Sequence, residues 1–543
     1  MHRLVVPPLA LVVSLSIAVG LRGQGGGYDV LIRNARVVDG TGNAWFKADV
    51  AFRGDTIAAI APQIDIQAAR VIDAADQVLA PGFIDLHVHA IDVAAGAASA
   101  VLPILETPTA EQYIRQGVTT LITGPDGTSP LPLKPVLDQI SAARLVPNLG
   151  TFVGHGSIRE SVLGRENRPP TATELESMRR LVRVAMQDGA VGISTGLFYV
   201  PAAFAKTAEV IELAKIAGEA GGIHISHMRD EAQGVLDSVK ETIRIGEEGG
   251  LPTQVTHHKA IGKLAWGNTV QTLRLIDEAR QRGVDATMDV YPYTASSTSI
   301  SAALIPAWAR EGGSQAIAQR LKEQQTRRRI LGEASRAILE ERGGGDPHNI
   351  QISRCDWKPE LAGMRLDEVA VARGLKPTVT DAADSALWIM DNGDCGAIFH
   401  AISEDDVQRV IRHPASMIAS DGRVTVFGRA IPHPRGYGTF PRVLGRYVRE
   451  LNVVSLEEAI RKMTSFPAQR IGLRERGLLR VGMKADAVIF NPRTVRDRAT
   501  YDAPHQYAEG FAAVIVNGQV VFENGKMTGA RPGRLLYGPG RAQ

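Results

Sequence analysis

The chain has 543 residues, 44% of them hydrophobic and 22% charged, with a formal net charge of +3. That length is too great for one small domain and fits a large core with satellites. The balanced charge, with no dense Lys/Arg block, argues against nucleic acid as a main partner. Two cysteines, Cys355 and Cys395, exclude a disulfide scaffold and a cysteine-rich zinc module and leave open whether they pair.

Residues 1–27 read as a leader. His2 and Arg3 precede an apolar run from Leu4 to Leu21, followed by Arg22 and a glycine-rich stretch. The run is short and broken by Pro7 and Pro8, which matches a secretory signal peptide better than a spanning helix. The expectation is export, periplasmic or secreted, with no stable membrane span after signal removal. No small-x-small cleavage site is evident, so an uncleaved anchor is the alternative.

From Tyr28 to residue 80 the pattern is short alternating strands separated by Asp39-Gly40-Thr41-Gly42 and Gly54-Asp55. The same texture returns after residue 475, in Ala487–Phe490 and Ala513–Val521. The two β segments are expected to pair into one small β-sandwich (28–80 with 475–543).

Between them, at 81–474, helix-like stretches, glycine signals and apolar strands recur. Asp126 to His155 spans 29 residues, Thr195 to His227 spans 32, His227 to His257 spans 30, and His257 to Asp289 spans 32. One strand–helix unit takes about that length. Thr173-Glu174-Leu175-Glu176 reads as a capping box for a helix carrying Met178, Leu181, Val182 and Ala185 on one face. Gly221-Gly222, Gly249-Gly250 and Gly283 stop three later helices. Strand candidates end near His89, Gly124, His155, Thr195, His227, His257, Tyr291 and Asp421. These predict an α/β fold, a (β/α)8 TIM-type barrel, with chemistry at the strand C-terminal ends. The long last interval predicts an inserted subdomain at about 304–387, with a break at Gly343-Gly344-Gly345.

The strand Pro81–His89 ends in two histidines one residue apart, so His87 and His89 share a face of extended backbone. Together with His227, His257, Asp126 and Asp421 they offer nitrogen and oxygen ligands suited to one or two Zn²⁺ ions. Asp421, ending Met417-Ile418-Ala419-Ser420, fits a carboxylate that moves a proton from water to a leaving amine. Asp289 faces inward or orients a neighbour. His155 reads as close to the site without ligating, His224 and His258 as structural, and His400, His413, His433 and His505 as loop or turn residues.

Several strings carry a family likeness: Pro81–His89, Gly192-Ile193-Ser194-Thr195-Gly196-Leu197-Phe198-Tyr199, His227-Met228-Arg229-Asp230-Glu231, Thr256-His257-His258-Lys259, Asp289-Val290-Tyr291-Pro292-Tyr293, and His433–Arg442. Gly482-Met483-Lys484-Ala485-Asp486-Ala487 adds to the match. In this order the chain resembles the amidohydrolase superfamily, in its N-acyl-D-amino-acid deacylase (D-aminoacylase) branch. The resemblance implies a zinc-bearing barrel, a β-sandwich from both chain ends and an insertion before the last strand. It implies that His227 and His257 are tight zinc ligands, that His87 and His89 form a second, weaker position, and that Asp421 is the catalytic carboxylate. Where the family has a metal-ligating cysteine, this chain has Asp126 in Gly124-Pro125-Asp126-Gly127. Asp126 is expected to ligate in its place, the alternative being a turn-stabilising role.

For the carboxylate of an acylated amino acid, Lys259, Arg435 and Tyr199 are the candidate contacts. The segment Ala295–Ile300 contains no arginine, which argues against an acidic substrate side chain. The expected activity is metal-dependent hydrolysis of the amide of small N-acyl-D-amino acids. Alternatives are another small amide, such as a cyclic amide or a D-residue dipeptide, or a catalytically lapsed barrel serving as a binding scaffold. The number of subunits is left open.

Overall fold

The computed structural model describes residues 27–91 and 102–541. The proposed leader lies outside the described residues.

Strands from both chain ends form one sheet. Tyr28–Val37 is flanked by Phe46–Arg53, Ala68–Asp73 and Val78–Pro81, and Ala487–Phe490 runs antiparallel to Val78–Pro81 with Ala487 opposite Pro81. Phe511–Val516, Gln519–Glu523 and Lys526–Met527 continue that edge. The expected pairing of the two β segments is therefore present, in one hydrogen-bonded, branched sheet whose strands bury a common apolar core. The branch has a local cause. A register shift between Ile32 and Ala35, with Asn34 at φ 57°, bends the long strand. Its first half then pairs with Ala68–Asp73, and its second half with Val78–Pro81.

Eight parallel strands follow in chain order: Phe83–Asp85, Val118–Thr123, Asn148–Gly154 (interrupted at Phe152), Gly192–Gly196, Ile223–His227, Thr253–Val255, Ala286–Val290 and Ser416–Ile418. Their register is parallel throughout. The ring closes where Gly422 and Arg423 pair with Val88 and His89, and where Ser420 N donates to Asp85 Oδ1 at 3.0 Å. Helices Ala172–Asp188, Thr207–Glu219, Val235–Gly249 and Thr269–Gln281 supply crossovers. They bury Met178, Val182, Val210, Val239 and Ile276 against the strands.

Two local expectations shift. The capping box of the first of these helices uses Thr171 with Glu174, not Thr173 with Glu176. The same spacing occurs twice, and the earlier pair adds a fork from Arg168 onto Glu174 at 2.7 and 2.8 Å. The inserted unit is also wider than 304–387. Ser296–Ser299 and Ile350–Arg354 both flank Gly396–Phe399 in an antiparallel sheet over a core that includes Ile330, Leu366, Leu387 and Phe399. Ser296-Ser297-Thr298-Ser299 has no apolar alternation of its own, so its strand character comes from its partner. Cys355 and Cys395 are joined as a disulfide within this unit.

The β-rich domain is locked to the barrel through one buried carboxylate. Asp486 pairs with Arg476, accepts from Asn517 N at 2.7 Å and from Asn148 Nδ2 at 3.3 Å. Removing it leaves Arg476 buried and uncompensated, a change worth about 3–5 kcal/mol. Asp486→Ala is expected to lower the denaturation midpoint accordingly, as measured by urea unfolding followed by circular dichroism.

Candidate metal centre

Six side chains converge where the strands end. His87 and His89 leave the first strand, Asp126 follows the second, His227 ends the fifth, His257 follows the sixth, and Asp421 follows the eighth. Asp126, His257 and Asp421 all have positive φ, of 55°, 39° and 51°. Such conformations are uncommon outside glycine and are held only when packing over-determines them. Around Asp126 the packing is tight. A Cβ on Gly196 would stand 2.1 Å from Asp126 O, and one on Gly154 would stand 2.4 Å from the Gly127 backbone. Only glycine at these strand ends lets the Pro125-Asp126-Gly127 turn sit between them.

The ligand atoms form two groups sharing Asp126: His87, His89, Asp126 and Asp421, and Asp126, His227 and His257, each with atoms within 4.8 Å of one another. Asp126 Oδ1 is 3.4 Å from His87 Nε2, 3.5 Å from His257 Nε2 and 3.6 Å from His227 Nδ1, while its Oδ2 is 3.6 Å from His89 Nε2. The carboxylate thus spans both groups, and the turn-only role considered for Asp126 does not describe its geometry. Asp421 Oδ1 lies 3.2 Å from His87 Nε2 and 3.1 Å from His89 Nε2.

The donors fit a divalent cation. His87 Nε2 and Asp126 Oδ1 are buried, face each other and have no hydrogen-bond partner. His257 Nε2 and His227 Nδ1 approach to 2.8 Å. Burial opposes the charge on Asp126, but His87 and His227 outweigh it and hold the carboxyl well below the usual carboxylate range. Burial likewise opposes Asp421, and Arg435 with His87 keeps it well below that range. Two buried carboxylates ringed by imidazoles call for positive charge at their centre, and the donor set is one that zinc accepts.

A second layer aims the ligands. Thr256 Oγ1 donates to Asp289 Oδ2 at 2.8 Å, so it accepts from His87 Nδ1 at 2.6 Å. That leaves the His87 Nε2 lone pair facing inward. Asp289 also accepts from His257 N at 2.7 Å, so it orients its neighbours and lies outside both ligand groups. His257 Nδ1 is 3.2 Å from Glu231 Oε1. Glu231 is fully buried with Lys259 and Arg342 around it.

Lys259 departs from its expected place at the substrate mouth. The left-handed turn at His257 ends the strand, and the ammonium folds back onto Glu231 and onto His257 O at 2.9 Å. Its donors are engaged behind the ligands. Arg435 and Tyr199 do line the cavity. Arg435 Nη1 lies 2.7 Å from Asp421 Oδ2, and the Tyr199 ring packs 4.6 Å from His227. His155 pairs with Glu209 at 3.0 Å, His224 with Thr195 and Thr253, and His258 with Thr272, none of them in a ligand group. Thr256, Glu231 and Arg342 received no role from the sequence. A His-adjacent threonine and a Glu four residues after His227 were the only signals for the first two; Arg342 comes from the insertion and left none.

The cavity has two lobes meeting at Asp126, Thr128 and Tyr199. One, of about 630 Å³, holds His89, Asp421, Arg435 and Tyr437; the other, of about 770 Å³, runs past Gly156 and Pro201 to the inserted unit.

The model of the amidohydrolase family matches residues 70–522. This chain is an amidohydrolase. A D-aminoacylase of Alcaligenes xylosoxydans xylosoxydans is 37% identical over 533 residues, 94% of this amidohydrolase and 97% of the relative. An N-acyl-D-glutamate deacylase from the same organism is 36% identical over 530 residues, 94% and 96% of the two chains. The amidohydrolase is also similar to the crystal structure of N-acyl-D-glutamate deacylase from Bordetella bronchiseptica, complexed with zinc and a phosphonate inhibitor that mimics the tetrahedral intermediate. There the TM-score is 0.78 at 34% identity, covering 94% of this chain and 100% of that one.

Two outcomes are expected. Asp126→Ala, which removes the group common to both sets, lowers zinc content below one ion per chain by elemental analysis. Thr256→Val, which frees the His87 ring, weakens zinc binding by about 10–100-fold in chelator competition.

Proposed function

We propose that this amidohydrolase is a zinc-dependent deacylase of N-acyl-D-amino acids. The observation that carries the reading is the pair of ligand groups joined by Asp126, with Asp421 set beside one of them. The relatives above, similar over nearly their whole lengths, support the substrate class. Their names divide between D-aminoacylase and N-acyl-D-glutamate deacylase and their identities are nearly equal, so overall similarity does not fix the side chain.

His87, His89, Asp126, His227 and His257 would hold the zinc. When bound there, it polarises the scissile carbonyl and brings the pKa of water towards neutrality. The chain's own residues do the rest. Arg435 keeps Asp421 ionised and fixes the direction of its carboxylate. Asp421 can then take a proton from the attacking water and give it to the departing amine nitrogen. Arg435, over the Tyr291 ring at 4.8 Å, and the hydroxyl of Tyr199 bound the lobe in which the substrate carboxylate is held. Arg435 would contact that carboxylate and Asp421 together, coupling substrate binding to the orientation of the proton carrier.

Export is part of the reading. Its support is the apolar leader of residues 4–21 and the Cys355–Cys395 pair, which persists best in an oxidising compartment. Mass analysis of chain recovered from the periplasm or medium tests it: an intact N-terminus in the cytoplasmic fraction alone removes the proposal.

The functional test is a steady-state panel of N-acetyl-D- and N-acetyl-L-amino acids with zinc-loaded protein. Turnover of D substrates is expected, and activity confined to L substrates or to cyclic amides overturns the assignment. Asp421→Asn is expected to lower kcat by about 10²–10⁴-fold while zinc at His227 and His257 persists. Full turnover in that variant removes the proton-carrier role. Lowering the pH should release zinc as the imidazoles protonate, and activity and bound metal should fall together.

A further inference from the structure

The larger lobe has no task in the reaction as described. Its walls come from the loops after the third and fourth barrel strands, at Gly156, Ser157 and Pro201, and from the inserted unit, at Arg310 and Ile317, with Ser299 shared with the smaller lobe. At about 770 Å³ it offers more room than an acetyl group fills.

Arg310 is the feature that calls for explanation. It ends the short turn Ala307–Arg310, is only 9% exposed and lines the lobe. Its Nε has no hydrogen-bond partner, and among the described residues its guanidinium forms no ion pair. The nearby carboxylates are otherwise engaged. Glu160 holds Arg165 at 2.8 Å, and Asp394 accepts from Ser301 N and Oγ and from Cys395 N. Asp391 lies exposed at the rim. Arg165 lines the same lobe, and its Nη2 is also buried without a partner. Burial pulls the Arg310 guanidinium down to about 10, with Asp394 opposing only in part. A desolvated cation that no carboxylate pairs directly is costly, and an anion arriving in the lobe relieves that cost.

The two lobes fix which part of the substrate arrives. Arg435 in the smaller lobe is placed for the α-carboxylate, on the amine side of the scissile bond. Asp126 and Asp421 mark the bond itself, so the acyl side extends into the larger lobe. We propose that the larger lobe binds the acyl group and that Arg310, with Arg165, receives a carboxylate at its far end. The substrate class is then a D-amino acid acylated by a dicarboxylic acid through one of its two carboxyls. This rests on the deacylase reading above and deepens it. It also agrees with the lack of arginine in Ala295–Ile300, because the second negative charge lies on the acyl side.

The test compares kcat/KM for N-succinyl-D-leucine with its neutral isostere N-succinamoyl-D-leucine, and for N-acetyl-D-glutamate with N-acetyl-D-glutamine. N-acetyl-D-leucine is the reference for deacylation as such. Wild-type protein is expected to favour succinyl over succinamoyl by at least about tenfold. In Arg310→Met that ratio falls to about one, chiefly through KM, and in Arg310→Lys it takes an intermediate value. Free succinate is expected to raise the Tm of wild type and not of Arg310→Met. Equal wild-type rates on the succinyl pair overturn the proposal even if Arg310→Met does not fold. Loss of the glutamate preference in place of the succinyl preference also overturns it, by putting the anion on the amine side. Failure on every substrate, N-acetyl-D-leucine included, brings down the deacylase reading and this proposal with it.

Discussion

The structure depends on one constraint: a buried carboxylate must be kept charged among four imidazoles. Asp126 cannot be desolvated at low cost, and what offsets that cost is positive charge gathered from the ends of separate strands. His87 and His227 do this electrostatically, and a divalent ion does it better. The strand ends are built around this requirement. Glycines at 154 and 196 let the Asp126 turn penetrate between them, and left-handed backbone at Asp126, His257 and Asp421 turns each side chain inward. Such local strain persists only in a rigid frame, which the closed ring of parallel strands supplies.

Rigidity continues outward in layers. Asp289 links His257 to Thr256, and Thr256 fixes the ring of His87, so two ligands on different strands share one anchor. Glu231, Lys259 and Arg342 form a buried charged cluster behind the other face of His257, and Arg342 belongs to the inserted unit. The insertion is thus tied to the barrel through the metal ligands' own support.

Much of this was legible in the sequence because the signals were local and periodic. His87 and His89 announced themselves by alternation, the strand–helix units by their 29–32-residue spacing, and the terminal β segments by their shared texture. Asp126 was legible as a candidate ligand through its position after the second strand, where the resembled family has a ligating cysteine. What escaped had no local signature. Lys259 follows the His257 strand end and is expected at the mouth, but the left-handed turn at His257 folds it back. The serine strand 296–299 exists only because Gly396–Phe399 pairs with it. The helix cap moved by two residues because Thr-x-x-Glu occurs twice in overlap and Arg168 breaks the tie. Arg310 and Arg342 reach their places through the tertiary arrangement of a long insertion, which no spacing rule anticipates.

The antiparallel pairing of Val78–Pro81 with Ala487–Phe490 has a consequence for biogenesis. Pro81 and Gly82 lead directly into the first barrel strand, so the strand that carries His87 emerges early, beside an edge whose neighbour is made some four hundred residues later. Until then a row of backbone donors and acceptors stands open, a template for wrong partners. Such distant pairings form slowly. A chain released before Ala487 keeps every proposed ligand and yet lacks the strand that seals that edge, so premature termination favours aggregation over a smaller working enzyme.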